Sequence, residues 1–261
     1  MSTVGIIGGS GLYGIDGLSI QKEIAVSTPY GEPSSTFKEG ILEGAGVVFL
    51  ARHGVPHLIP PHKVNYRANI WGFKSLGVDR IISVSAVGGI SDAMPPGAIA
   101  LPDQIIDATY GIRTATFFDD RAVHVDFTEP FCPDIRSVVV KAATEAGIPI
   151  IPGGTYICVN GPRLETAAEI RCFSAMGADV IGMTAMPEAV LAREAEICLA
   201  GICVVANKAA GLSSGKLTAV EVVETMRSSA DRIKTLLKAI LPRLSGSRSC
   251  ECREALKNAE M

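Results

Sequence analysis

The sequence predicts an α/β fold in which a mixed or parallel sheet is covered by helices on both faces. Three observations carry this. Short apolar runs of strand length alternate with segments of helical periodicity along the chain. The apolar residues are mainly Ile, Val, Leu and Ala, with aromatics at only 5%, a composition suited to strands buried on both faces. The length, 261 residues, fits one large α/β domain better than two small ones.

The elements follow in order. A strand is expected over residues 4–7, closed by Gly8-Gly9-Ser10-Gly11, and a second over 46–51 runs directly into Arg52-His53-Gly54. A helix follows over 66–76 and a strand over 80–85, which Ala86-Val87-Gly88-Gly89 is expected to end in a tight turn. After the Pro95-Pro96-Gly97 turn, a strand is expected over 98–104. The second half repeats the style, with helices over 136–146, 165–176, 187–195 and 219–240. Strands are expected over 154–159, 180–183 and 202–206, the last ending at Asn207. Residues 1–244 read as a single domain. From Ser245 the composition turns to Ser, Arg, Glu and Lys, so 245–261 is expected to be a polar C-terminal tail.

Hydrophobic residues make up 48% and charged residues 20%, the balance of an ordinary globular enzyme. A formal net charge of −3 gives no electrostatic case for nucleic acid or an anionic membrane. The apolar runs are too short for a transmembrane helix, and Met1 to Ile7 lacks the basic start of a secretory signal, so a cytoplasmic protein is expected. None of the seven cysteines forms a paired C-x-x-C zinc pattern, and no metal site is expected. Cys250 and Cys252 are expected to be exposed in the tail, where the pair can close a small disulfide ring in an oxidising setting.

In open α/β sheets, ligands gather beyond the carboxyl ends of the strands. Five segments place glycine or polar residues there: Gly8 to Gly11, Arg52-His53, Ser85-Ala86, Met183-Thr184, and Asn207-Lys208-Ala209. Gly8 to Gly11 is too short for a dinucleotide fingerprint, yet suits a nest of backbone N–H groups around an anion, with the Ser10 hydroxyl beside it. Arg52 presents a planar fork that matches phosphate, or alternatively makes a salt bridge to a nearby carboxylate. Ser85 and Thr184 each offer a hydroxyl and neighbouring N–H groups. No nucleophile elbow, Walker A loop or helical histidine pair is present. The residues alone support a small anionic ligand at the strand ends and leave its chemistry open.

Longer motifs sharpen the reading. Gly8 to Leu12, Phe49 to Gly54, Pro61 to Trp71, Glu129 to Pro133, Gly161 to Arg163 and Gly177 to Thr184 together resemble the methylthioadenosine and purine nucleoside phosphorylase family, over about residues 3–243. The resemblance implies a nucleoside phosphorylase α/β fold and a homotrimer or dimer of trimers. It also implies cleavage of a nucleoside by inorganic phosphate to free base and pentose 1-phosphate, with no metal or organic cofactor. Carried over, Ser10, Arg52, His53, Ser85, the Ala86 backbone and Thr184 hold phosphate. Met183 meets the ribose, Asn207, Lys208 and Ala209 face the base, and His124 reaches a neighbouring subunit's 5′ pocket.

The departures from the family pattern point to a particular base. Methylthioadenosine phosphorylases carry an Asp-x-Asp where this chain has Asn207 and Ala209. The 6-oxopurine enzymes carry Asn-Lys, as in Asn207-Lys208, and a glutamate matched here by Glu165. A carboxylate accepts from the N1–H of a 6-oxopurine and an asparagine amide donates to O6, whereas a 6-aminopurine reverses both needs. Inosine and guanosine are therefore the expected substrates. At the 5′ side, apolar Ala219 and Val223 would tolerate a methylthio group, which leaves methylthioinosine as an alternative, with methylthioadenosine behind it.

Overall fold

The computed structural model describes residues 3–9, 15, 17–213 and 217–260. In chain order its strands and helices are β1 (Val4–Gly8), β2 (Ser19–Ile24), β3 (Phe37–Leu42), β4 (Ala45–Ala51), α1 (Tyr66–Ser75), β5 (Arg80–Gly89), β6 (Ile99–Ala100), β7 (Gln104–Ala108), α2 (Pro133–Glu145), β8 (Thr155–Val159), α3 (Ala167–Ala175), β9 (Val180–Gly182), α4 (Ala185–Glu194), β10 (Cys198–Lys208) and α5 (Ala219–Ile240). Among the described residues they build one ten-stranded mixed sheet, ordered β2-β3-β4-β1-β5-β9-β8-β7, with β10 pairing both β5 and β6. The expected α/β fold with helices on both faces is what forms.

The strand sequences explain the layering. Side chains alternate across a strand, and here both faces are apolar. Ile6, Val47, Phe49, Ile82, Val84 and Val204 pack under α2 and α5, against Val139, Ile233, Leu236, Leu237 and Ile240. Their neighbours Ile7, Val48, Leu50, Ile81 and Val205 face the other way, onto Ile70 and Phe73 of α1 and Leu191 and Ala192 of α4. A third cluster seats Ile170 and Phe173 of α3 on Ala108, Ile157 and Ile181. The central strands β1, β4, β5 and β10 run parallel, so their carboxyl ends meet on one edge.

The structure differs from the sequence reading in four places. The hairpin β2–β3 pairs antiparallel at the sheet edge; β2 is polar and exposed along almost its whole length, so it carries no alternating signal. β5 does not turn at Ala86 but continues to Gly89, pairing with β10 throughout and with β9 at Gly88 and Gly89. Its glycines serve close packing, since a Cβ on Gly89 would collide with the Met94 carbonyl. The strand expected over 98–104 splits into β6, antiparallel to β10, and β7, parallel to β8, on either side of Pro102, which has no N–H to give a ladder.

The fourth difference is the C-terminal segment, which folds back onto the domain. Val123 and Glu260 form a β-bridge, and the His124 N–H donates to Ala259 O at 2.8 Å. Arg248 donates to Glu196 O at 2.8 Å, and the Ser249 hydroxyl to Asp134 at 2.7 Å. Cys250, Cys252 and Ala259 are buried, and both thiols are free. The expectation of exposed thiols on a polar tail fails because these few small apolar residues, diluted among charges, are the ones that dock. No helix among the described residues is long and apolar enough to cross a membrane.

Candidate active site

Parallel register brings the strand ends into one place. Gly8 pairs with Ala51 and Ile7 with Ser83, so the residues that follow β1 and β4 emerge side by side beside the middle of β5. They enclose a cavity of about 260 Å³, lined by Gly9, Arg52, His53, Ser85, Ala86, Met183, Thr184, Glu165, Asn207 and Ala209 among others. All of these residues but Gly9 were expected to bind phosphate, sugar or base. Gly9 belongs to the expected anion nest, while Ser10 beside it lies outside the described residues.

Arg52 forms the buried wall of this cavity, at 1% exposure. Its Nε donates to Glu188 Oε1 at 2.5 Å and its Nη2 to Glu188 Oε2 at 3.2 Å. Nη2 also donates to Ser83 Oγ at 2.6 Å and Nη1 to Val84 O at 2.9 Å. Both alternatives for this arginine thus hold together: the guanidinium is paired with a carboxylate and still lines the ligand cavity. Four of its five N–H bonds are spent on fixing its plane, which leaves an Nη1 N–H for a ligand. Glu188, in the first turn of α4, carries no motif of its own, and sequence reasoning missed it. The one available hint was a carboxylate among apolar residues in the first turn of the helix.

His53 is buried beside that cation. Its Nδ1 lies 2.8 Å from Ile59 O; a carbonyl only accepts, so Nδ1 carries the proton and Nε2 keeps its lone pair. Burial, reinforced by the charge of Arg52, lowers its pKa to about 4, so the ring is neutral at pH 7. The ring of His57 packs at 4.3 Å from it, centroid to centroid, and also lines the cavity. Its pKa is lowered too, by burial and then by Arg52. His57 is a second residue the sequence reading passed over, as a loop histidine.

Thr184 is the N-cap of α4, yet its side chain makes no capping bond. Its N–H donates instead to the buried Tyr156 hydroxyl at 3.3 Å, and the residue faces the cavity. A Cβ on Gly182 would strike that same tyrosine hydroxyl, so the glycine before Met183-Thr184 leaves room for the Tyr156 side chain along the β8–β9 pair. Arg113, buried, clamps the segment from behind by donating to Met183 O at 2.7 Å, Met186 O at 2.5 Å and Asn160 O at 2.9 Å.

At the other end of the cavity, Glu165 reaches in from the β8–α3 connection. The N-terminus of the helix beside it does not need its charge. Thr166 and Glu169 close a capping box on α3, and Arg163 pairs with Glu169 at 2.6 Å. Glu165 is half-buried, and desolvation raises its pKa. Asn207 and Ala209 come from the end of β10, where the ladder to β5 is irregular between Val205 and Asn207. Lys208 between them points the other way, to Ser91 O and Asp92 Oδ1, both at 3.2 Å. The expectation that Lys208 contacts substrate is therefore corrected by the two-residue period of an extended chain.

The 5′ side also needs a correction. Val222 and Met226, one turn apart on α5, line the cavity together with Leu217, while Val223 is exposed on the neighbouring face. One step along a helix turns the side chain by about 100°, so the face was misassigned by a single residue. The side chain of Ala219 lies outside the described residues. His124 is exposed and away from the cavity of its own chain.

An α/β sheet with a neutral histidine, a locked arginine and the hydroxyl-bearing Ser85 and Thr184 around one cavity defines an enzyme class that works on a small molecule with an anion. The comparisons with known proteins agree. Residues 3–242 match the family described as the phosphorylase superfamily. The chain is 54% identical to a probable S-methyl-5′-thioinosine phosphorylase of Thermodesulfovibrio yellowstonii, over 98% of this chain and 96% of that one. It is 49% identical to a 6-oxopurine nucleoside phosphorylase of Pyrococcus furiosus, over 99% of each. Among solved structures, methylthioadenosine phosphorylase from Schistosoma mansoni in complex with adenine superposes with a TM-score of 0.95 at 31% identity, over 100% of this chain and 99% of that one. The chain belongs to the phosphorylase superfamily; it is a nucleoside phosphorylase, a pentosyltransferase.

Proposed function

We propose that this enzyme cleaves 6-oxopurine nucleosides, inosine and guanosine, with inorganic phosphate, giving the free base and ribose 1-phosphate in purine salvage. The observation that carries the reading is that Glu165 and Asn207 line one cavity where an Asp-x-Asp pair is absent, Ala209 occupying the second position. A carboxylate there accepts from N1–H, and the Asn207 amide donates to O6 or N7. Desolvation of Glu165 strengthens the preference, since a half-buried carboxylate facing the N1 lone pair of an aminopurine has no donor to meet.

The chemistry follows from the geometry. Phosphate, held by Arg52, Ser85, Thr184, the Ala86 N–H and the expected Ser10, attacks C1′ as the bond to the purine nitrogen breaks. The bonding electron pair leaves on the purine, which takes up a proton. The pentose passes through an oxocarbenium-like state that the phosphate oxygens stabilise. His53, neutral and with Nε2 unprotonated, accepts the remaining O–H of hydrogen phosphate and so turns an oxygen bearing full charge toward C1′. Met183 packs on the ribose. Phosphate is the co-substrate, and the reaction draws on no metal or organic cofactor.

A second reading is favoured by the 5′ side. Leu217, Val222 and Met226 make that wall apolar, which suits a methylthio group and thus methylthioinosine. His124 would complete the pocket from a neighbouring subunit, as a homotrimer or dimer of trimers in the cytoplasm. Exposed apolar Val55, Leu58 and Leu164, on the loops that carry His57 and Glu165, give such a neighbour a surface to cover. Steady-state phosphorolysis of inosine, guanosine, methylthioinosine, adenosine and methylthioadenosine, with and without phosphate, tests all of this. The three oxopurines should be cleaved in phosphate only. Full base release in phosphate-free buffer, or a higher kcat/KM for the aminopurines, overturns the reading.

A further inference from the structure

At the opposite edge of the sheet from the cavity, four cysteines converge from three distant segments. Cys132 precedes α2, Cys198 opens β10, and Cys250 and Cys252 lie at the start of the last helical turn, Glu251–Glu254. All four are buried, and their sulfurs lie within 4.8 Å of one another, with Cys198 and Cys250 at 3.3 Å. A tetrahedral tetrathiolate with metal–sulfur bonds of about 2.3 Å has sulfurs about 3.8 Å apart. The cluster already has that size and that ligand count.

The surroundings carry the matching charge. Arg193 Nη1 donates to Cys252 Sγ at 3.7 Å and Arg248 Nη1 to Cys198 Sγ at 3.8 Å. Both arginines are oriented by carbonyls, Arg193 by Glu129 O and Arg248 by Glu196 O, and Arg248 also pairs with Asp79 at 3.4 Å. Four thiols or two disulfides are neutral and ask for no cation. A divalent metal with four thiolates carries two negative charges, which N–H donors at the sulfurs offset. A cavity of about 280 Å³ lined by Cys132, Cys198, Cys250 and Arg248 gives an ion a way in.

We propose that Cys132, Cys198, Cys250 and Cys252 bind one zinc ion in a closed tetrathiolate site that fastens the C-terminal segment to the domain. Zinc suits a tetrahedral all-sulfur site, and four protein ligands leave no open position for catalysis. Binding releases the four thiol protons to solvent and changes no oxidation state. Cys198 and Asn207 stand at opposite ends of β10, about 30 Å apart along an extended strand, so the metal acts on stability and not on the reaction.

The test is metal analysis of the full chain purified under reducing conditions without chelator, with intact mass measured unreduced. The expected result is about one zinc per chain, lost to a strong chelator with a fall in Tm. Cobalt(II) then added to the metal-free reduced protein should give the visible bands of a tetrahedral tetrathiolate. Cys252→Ser should bind zinc at least tenfold more weakly; if that variant does not fold, the cobalt titration of the wild-type chain decides alone. Metal-free protein whose reduced thiols take up neither zinc nor cobalt overturns the proposal. So does an unreduced mass lighter by the hydrogens lost to disulfides, and stoichiometric iron overturns the choice of zinc.

Discussion

The phosphate end and the base end of the cavity are built differently. At the phosphate end, Arg52 is at 1% exposure and every donor but one is fixed by Glu188, Ser83 and Val84. His53 is held by Ile59 and Thr184 by Tyr156. At the base end, Glu165 hangs from a connecting segment and Asn207 sits at an irregular point of a ladder, both half-buried. The rigid end serves the step common to every substrate, and the looser end chooses among bases. Specificity can change there by one or two side chains without touching the scaffold.

The widest test of this contrast is at the base end. Wild-type enzyme should prefer inosine to adenosine by about 10⁴ in kcat/KM, and Asn207→Asp with Glu165→Ser should collapse most of that ratio while leaving the phosphate KM unchanged. As pH falls through the raised pKa of Glu165, the carboxyl protonates and stops accepting from N1–H. Inosine KM should therefore rise toward acid pH, and Glu165→Gln should flatten the profile. Loss of phosphate affinity in the base-end variants would erase the distinction between the two ends.

At the phosphate end, Arg52→Ala should lower kcat/KM by about 10²–10³ for every nucleoside alike. It should also destabilise the fold by about 3–5 kcal/mol, because Glu188 is left buried without its partner. Arg52→Met combined with Glu188→Gln should recover much of the stability in a urea titration and none of the activity. If Arg52→Ala changed the ratio between inosine and adenosine, the ends would not be independent.

A smaller effect follows from His53. Its folded pKa of about 4 lies below the ordinary 6.5, so the unfolded chain binds the proton more tightly. The contribution is fully present above pH 6.5 and is lost as pH falls toward 4. Between pH 6.5 and pH 5 the loss should reach about 2 kcal/mol, at about 1.4 kcal/mol per unit. His53→Gln should remove that acid limb from the pH dependence of the urea midpoint. The smallest expected change is at the 5′ side. His124→Ala should raise the nucleoside KM by about tenfold with phosphate KM intact, and light scattering should show a trimer or hexamer. A fully active monomer would count decisively against a shared pocket.

The scaffold and most of the cavity lining are legible in the chain's apolar pattern. Runs such as Val47 to Leu50 are apolar on both faces, which only a sheet covered twice can bury. Parallel strands put their carboxyl ends together, so Arg52, His53 and Asn207 were legible as neighbours once the strands were, while Ser85, in the middle of β5, and Thr184, after the antiparallel β9, join them through the way β9 crosses the end of β5. The polar strand β2 was not, because an exposed edge strand has no apolar face to repeat.

Relations that span distance or turn on angle emerge only on folding. Glu188 meets Arg52 across 136 positions of chain, and no local pattern announces such a pair. Val222 rather than Val223 faces the cavity because of how α5 is rotated against β10. Lys208 leaves the site because an extended strand alternates. Cys132, Cys198, Cys250 and Cys252 form a cluster only because β10 and α2 begin where the returning C-terminus docks. Periodicity is local and survives in the sequence; convergence of separate segments depends on packing, and exists only once the chain is folded.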